Sequence, residues 1–207
     1  MRLKAVLFSM VLLVSGYVNA GIISTIGTSG SDFRCLGTAG GCGQTFGQTF
    51  TVTGLDTYLD DFGLVLSRVD NGPLNVQFKL YSWNGSNISG ASLFQSSVLS
   101  VNNSISQLYT FDTNVNLVSG NQYMALFDTS GIGNTTAPAS GFTRISNASY
   151  AGGSFFWERT SGNGVWNSSG GDTLFAANLT TASVPEPSTL AIFALGFMGL
   201  VARRFKK

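Results

Sequence analysis

Four aromatic residues, a few acids and two cysteines are the side chains whose types and spacing could do chemistry in this sequence. Tyr81 and Trp83 stand beside Asn84 and Asn87, and Trp157 and Trp166 flank a Gly/Asn-rich turn. Aromatic rings pack on the apolar faces of sugars while amides and carboxylates take the hydroxyls, so either pair could form a carbohydrate platform. The plainer expectation is that Trp157 and Phe155 fill a core and Trp83 caps its edge.

Catalysis has little to work with. The chain has no histidine, so neither a Ser-His-Asp nor a Cys-His arrangement can be assembled. No phosphate-binding loop, dinucleotide fingerprint or nucleophile elbow occurs. A glycosidase needs only two carboxylates, and Glu158 with Asp172, or Asp60 with Asp61, could be nominated. Those acids also fit turns or solvent-facing positions, and the expectation is a non-enzyme with no catalytic residue and no cofactor. Asp60, Asp61 and Asp70 could supply oxygen ligands to calcium, but their spacing matches no calcium loop, so no metal is expected. Cys35 and Cys42 are the only cysteines; they read as a local disulfide around a Gly-rich loop. Triplets such as Asn84-Gly85-Ser86, Asn147-Ala148-Ser149 and Asn178-Leu179-Thr180 fit the glycan-acceptor pattern, although they read first as polar turns.

The elements that must position these residues are strands. From Gly21 to Ser183 the apolar period is two rather than 3.6. Leu74 to Trp83 alternates Val76, Phe78 and Leu80 against Gln77, Lys79 and Tyr81. Tyr58 to Arg68 sets Leu59 and Asp61 on one face and Phe62, Leu64 and Leu66 on the other, which places a bulge near Asp60-Asp61. Further strands are expected over Thr45–Thr53, Ser92–Val101, Ile105–Asp112, Tyr123–Phe127, Gly141–Ser146, Ser154–Arg159 and Thr173–Leu179, with a turn at Asn71-Gly72-Pro73 and a loop over Ser130–Ser140. Leu117 to Tyr123 has the form of a tyrosine corner, in which a Tyr hydroxyl bonds an upstream backbone group. The fold expected is all-β, an antiparallel β-sandwich of jelly-roll or Ig-like kind, with no helix outside the two chain ends.

Those ends decide where the chain goes. Arg2 and Lys4 precede an apolar run, and Val18-Asn19-Ala20 closes it with small residues, the pattern of a secretory signal peptide over residues 1–20 cleaved after Ala20. At the other end, Val184 to Ser188 is stiff and polar, Thr189 to Ala202 is apolar and uncharged, and Arg203, Arg204, Lys206 and Lys207 are basic. A helix over Ser188–Ala202 would reach roughly 22 Å, short of the bilayer's ~30 Å core. Its apolar side chains contribute only ~0.3–0.6 kcal/mol each to insertion. Such a segment suits a temporary anchor, and the basic end keeps the C-terminus cytoplasmic and the body outside. Six of the eleven basic residues lie in these two ends. The body keeps five basic residues against nine acids, a net charge of about −4 with no cluster of either sign. Nucleic-acid binding, which needs a basic stripe, is excluded.

The tail, with Val184, Pro185, Glu186 and Pro187, then the apolar helix, then Arg203 and Arg204, resembles the PEP-CTERM sorting signal of Gram-negative bacteria. A eukaryotic lipid-anchor signal competes, but it wants a tail without terminal charges. The PEP-CTERM resemblance implies recognition by exosortase, a membrane-embedded cysteine transpeptidase. It also implies transient anchoring in the inner membrane, removal of the tail and delivery to the cell surface of an exopolysaccharide-producing organism. The body is similar to the uncharacterised choice-of-anchor sandwich domains through Phe78 to Trp83, Leu117 to Tyr123, and Gly152 to Phe155; that similarity implies a fold and no ligand. The expected organisation is a signal peptide (1–20), one sandwich (21–183) and a sorting signal (184–207). The expected role is structural or adhesive within exopolysaccharide, with a carbohydrate-binding module or a secreted glycoside hydrolase as alternatives.

Overall fold

The computed structural model describes residues 21–28, 30, 32–37, 42–68, 73–132, 140–146, 150–158, 164–168 and 170–181. The signal peptide and the sorting helix expected at the chain ends lie outside these residues, as do Asp70 and the triplet 147–149.

Among the described residues, thirteen strands form two sheets packed face to face. They are β1 (Gly21–Ser24), β2 (Asp32–Gly37), β3 (Thr45–Thr51), β4 (Tyr58–Arg68), β5 (Leu74–Trp83), β6 (Ile88–Val101), β7 (Gln107–Asn116), β8 (Gln122–Asp128), β9 (Ser140–Ser146), β10 (Phe155–Glu158), β11 (Asn167–Ser168), β12 (Asp172–Thr173) and β13 (Phe175–Thr180). The first sheet runs β1-β13-β4-β9-β12, with β2 beside β9 and β7 beside β4. The second runs β11-β10-β3-β8-β5-β6. Every ladder between strands is antiparallel. The chain changes sheet at most of its connections, so the protein is the all-β antiparallel sandwich expected from the period-two pattern.

The alternation on β5 shows why. Leu74, Val76, Phe78 and Leu80 are fully buried between the sheets, while Asn75, Gln77, Lys79 and Tyr81 are half-exposed on the other side. Opposing strands fill the same layer with rings. Phe62 of the first sheet stacks on Phe78 of the second, centroids 5.4 Å apart at 10°, and on Phe175 at 5.6 Å and 13°. Phe78 also meets Phe111 at 5.1 Å and Phe127 at 5.2 Å. Burying one such side chain is worth about 2–3 kcal/mol, so this aromatic column is a main source of cohesion between the sheets.

The bulge expected at Asp60-Asp61 is present. Leu59 faces Leu179 and Asp61 faces Asn178, so Asp60 is an extra residue in β4. It corrects one expectation. The extra residue resets the pleat, and Leu59 is fully buried in the same core as Phe62, Leu64 and Leu66 instead of sharing a face with Asp61. β6 begins at Ile88, four residues before the expected start, and β7 runs on to Asn116. Strands β1, β2 and β11 are additions to the expected set.

Two local devices are as expected. The Val118 N–H donates to the Tyr123 hydroxyl oxygen at 2.8 Å, which fixes the turn between β7 and β8. Cys35 and Cys42 form a disulfide with Cα atoms 4.8 Å apart. The Gly37 and Gly43 N–H groups donate to Gly43 O and Cys35 O, each at 3.0 Å, across the base of that loop.

A polar network is buried within the sandwich. Gln48, on β3, is 1% exposed and uses its whole amide. Its Nε2 donates to Asp172 Oδ1 at 2.7 Å and to Thr49 O at 3.0 Å. Its Oε1 accepts from Thr173 N at 2.9 Å and Thr173 Oγ1 at 3.2 Å. The second Asp172 oxygen accepts from the Tyr150 N–H at 2.6 Å. One side chain thereby ties the second sheet to the first, and each bond satisfies a group that would be costly to bury alone.

Candidate functional site

The outer face of the second sheet should meet water, as one face of an antiparallel sheet usually does. Instead it carries a second apolar cluster. Trp83, Met124 and Leu126 are buried there, with Tyr81, Ile88, Phe156 and Trp166 packed against them. Strand register assembles it. Tyr81 faces Met124 and Lys79 faces Leu126 across β5 and β8, while β3 supplies Gly47 opposite Leu126. A Cβ on Gly47 would collide with the Met124 sulfur, so glycine there lets Met124 lie across β3. Trp83 meets Phe156 with centroids 4.9 Å apart and takes the Trp166 ring edge-on at 6.0 Å and 82°.

Beside this cluster lies a cleft of about 320 Å³. Tyr81, Ile88, Leu126 and Trp166 give its apolar wall; Thr45, Lys79, Asn87, Asp128 and Glu158 give its polar one. Lys79 reaches diagonally across β5 and β8 to Asp128, Nζ to Oδ2 at 2.9 Å. Asp128 Oδ1 accepts from the Ser130 N–H at 2.9 Å, the Ser130 hydroxyl at 2.7 Å and the Thr45 hydroxyl at 3.4 Å. Burial alone would raise the Asp128 carboxyl, but the bonds from Ser130 and Lys79 and the Lys79 charge outweigh it, and its pKa lies below the ordinary 3.8. Glu158 is 2% exposed, and its Oε1 accepts from the Gly164 N–H at 2.7 Å, which holds the segment leading to Trp166 over the cleft. Asn84 Oδ1 accepts from the Ser86 N–H at 3.0 Å and the Asn87 N–H at 2.7 Å, shaping the turn that presents Asn87.

The structure therefore re-sorts the aromatic candidates. Tyr81, Trp83 and Trp166 come together on one outer face. Trp157 does not join them; it points to the other side of β10 and packs with buried Phe155 against the main core. Trp83 is 6% exposed and supports Trp166 from beneath, so Tyr81 and Trp166 are the rings a ligand could reach.

The acids are likewise separated. Asp172 sits in the buried Gln48 network and not beside Glu158 in the cleft; Asp128 shares the cleft with Glu158 instead. Asp61 accepts from Asn178 Nδ2 at 2.9 and 2.8 Å, which commits both that carboxylate and the Asn178 amide to a cross-strand bond. Among the described residues no three acidic or cysteine side chains converge as a metal site would require.

Sequence reasoning missed Phe156, Met124, Leu126, Lys79 and Asp128. Tyr123-Met124-Ala125-Leu126-Phe127 carries a readable signal, because an unbroken apolar strand implies cover on both faces. The Lys79–Asp128 pair depends on register and leaves no such trace.

Among known protein families, residues 183–207 match the model described as the PEP-CTERM protein-sorting motif, starting one residue before the boundary read from the sequence. A search of the curated proteins finds no match to the chain.

Proposed function

We propose that this chain, an exported exosortase substrate by virtue of its PEP-CTERM sorting motif, is a non-catalytic matrix protein whose sandwich holds exopolysaccharide in the cleft beside Trp166. The observation that carries the reading is the placement of Tyr81 and Trp166, next to Asn87, Lys79 and Glu158, on a sheet face that no other sheet covers among the described residues. A sugar ring would stack on the aromatic wall while its hydroxyls meet the polar one.

The alternative with a specific observation behind it is a secreted glycoside hydrolase, since Asp128 and Glu158 line one cleft. Both carboxylates are already engaged, Asp128 with Lys79 and Ser130 and Glu158 with Gly164, which favours a structural part for them. Retention on immobilised exopolysaccharide separates the readings. The wild-type chain should be retained without releasing reducing ends, and Trp166→Ala with Tyr81→Ala should abolish retention while leaving the thermal unfolding midpoint within a few degrees. Release of reducing ends that stops with Glu158→Gln would establish the hydrolase; retention unchanged in the double variant would remove the cleft from the account.

A further inference from the structure

We infer that removal of the signal peptide creates an ion pair, between the new α-ammonium of Gly21 and the carboxylate of Asp56, that fastens the first strand to the body. Strand β1 starts at Gly21, the residue that follows the small-residue cleavage pattern Val18-Asn19-Ala20. The Asp56 side chain lies directly against it: a Cβ on Gly21 would stand 2.9 Å from Asp56 Oδ2 and 3.6 Å from Asp56 Cγ. The Gly21 nitrogen is about 2.5 Å from that Cβ position by standard bond geometry, which places it within roughly 5.5 Å of the carboxylate oxygen.

Among the described side chains Asp56 has no ion-pair partner; the one ion pair there is Lys79–Asp128. In the precursor the Gly21 nitrogen is a neutral amide. Hydrolysis adds water across the Ala20–Gly21 bond: the hydroxyl goes to the Ala20 carboxyl, which leaves with the signal peptide, and the Gly21 nitrogen becomes an ammonium. A carboxylate at this distance favours the charged amine. The pair then closes where Gly21 faces Leu179, at the base of the strand that leads into the sorting tail. The signal peptidase step thus completes the edge of the first sheet. The inference rests on cleavage after Ala20 and not on any ligand of the cleft.

The test uses the full chain exported from a bacterial host, purified in detergent with its tail retained. The α-amine is titrated by the pH dependence of its acylation, read by mass spectrometry of the N-terminal peptide. The expected midpoint lies at least ~0.5 pH unit above the ordinary α-amino range of about 7.7–8.0. It should fall back into that range in Asp56→Asn, and also when one Ala inserted before Gly21 carries the amine outward. An ordinary midpoint that Asp56→Asn leaves unmoved overturns the inference, as does a mature N-terminus at any residue other than Gly21.

Discussion

Replacing Gln48 by Leu should be among the most damaging single changes in the sandwich, although it removes no charge and little volume. The substitution deletes the bonds to Asp172 Oδ1 and Thr49 O and both bonds from Thr173. It strands the buried Thr173 N–H and one oxygen of Asp172, which is 2% exposed. At ~1–3 kcal/mol for each unsatisfied buried group, the cost is about 3 kcal/mol. The cost should depend on pH. Burial raises the Asp172 carboxyl above its ordinary 3.8, against the bonds from Tyr150 N–H and Gln48 that favour its charged form. A carboxyl raised on folding supports the fold at pH values below its unfolded pKa, and that support is lost as pH rises through the folded value. Without Gln48 the folded value climbs further, so the variant's deficit should widen from about pH 3.5 to pH 7. Urea unfolding of wild type and variant at the two pH values, with equal m-values required, measures both effects. A deficit under about 1 kcal/mol at pH 7, or one of equal size at both pH values, would refute the idea that this amide holds a costly buried carboxylate.

Lys79→Met should cost about 1–2 kcal/mol at pH 7, since it removes a charged hydrogen bond from a partly exposed pair. The Asp128 carboxyl is lowered on folding, so its contribution is present above the unfolded value and lost as pH falls through the folded one. The deficit of Lys79→Met should accordingly shrink in acid, as urea unfolding below about pH 3 would record. Reduction of the Cys35–Cys42 bond, whose partners are 7 residues apart, should lower stability by about 2.5 kcal/mol, read as a shift of the urea midpoint on adding reductant. Pro185→Ala combined with Glu186→Ala should leave the unprocessed chain in the membrane fraction, and an unchanged mature mass would count against recognition of that motif.

Much of the sandwich could be read from alternation alone, and the exceptions have physical reasons. β5 is transparent because every second residue is a large apolar one. The bulge in β4 betrays itself where two acids interrupt the alternation, but only the observed pairing with β13 shows that Leu59 returns to the core. β1 is only four residues long, and the early part of β6, Ile88-Ser89-Gly90-Ala91, has too few apolar marks to show a period. In the cleft the aromatic types were legible and their sides were not. Phe155-Phe156-Trp157 has no polar residue to set the phase, so whether Trp157 or Phe156 faced outward depended on the register of β10 against β3. Asp128 follows the last residue of an expected strand and went unread; its link to Lys79 requires two strands that are far apart in sequence to be neighbours.

The pairing of β1 with β13 has a consequence for life at the membrane. Gly21 and Leu179 lie side by side, so the first and last strands of the described sandwich meet at the same pole. The Tyr58–Thr180 pair and the Leu117–Thr57 and Gly120–Val52 hydrogen bonds mark that pole. Thr45 and Asp128, in the cleft, face each other at the opposite end of the β3–β8 ladder from Thr51 and Gln122, which at ~3.3 Å per residue is about 20 Å farther out. The chain runs on from that pole to its sorting motif at residues 183–207, so the cleft occupies the end of the sandwich away from the anchor.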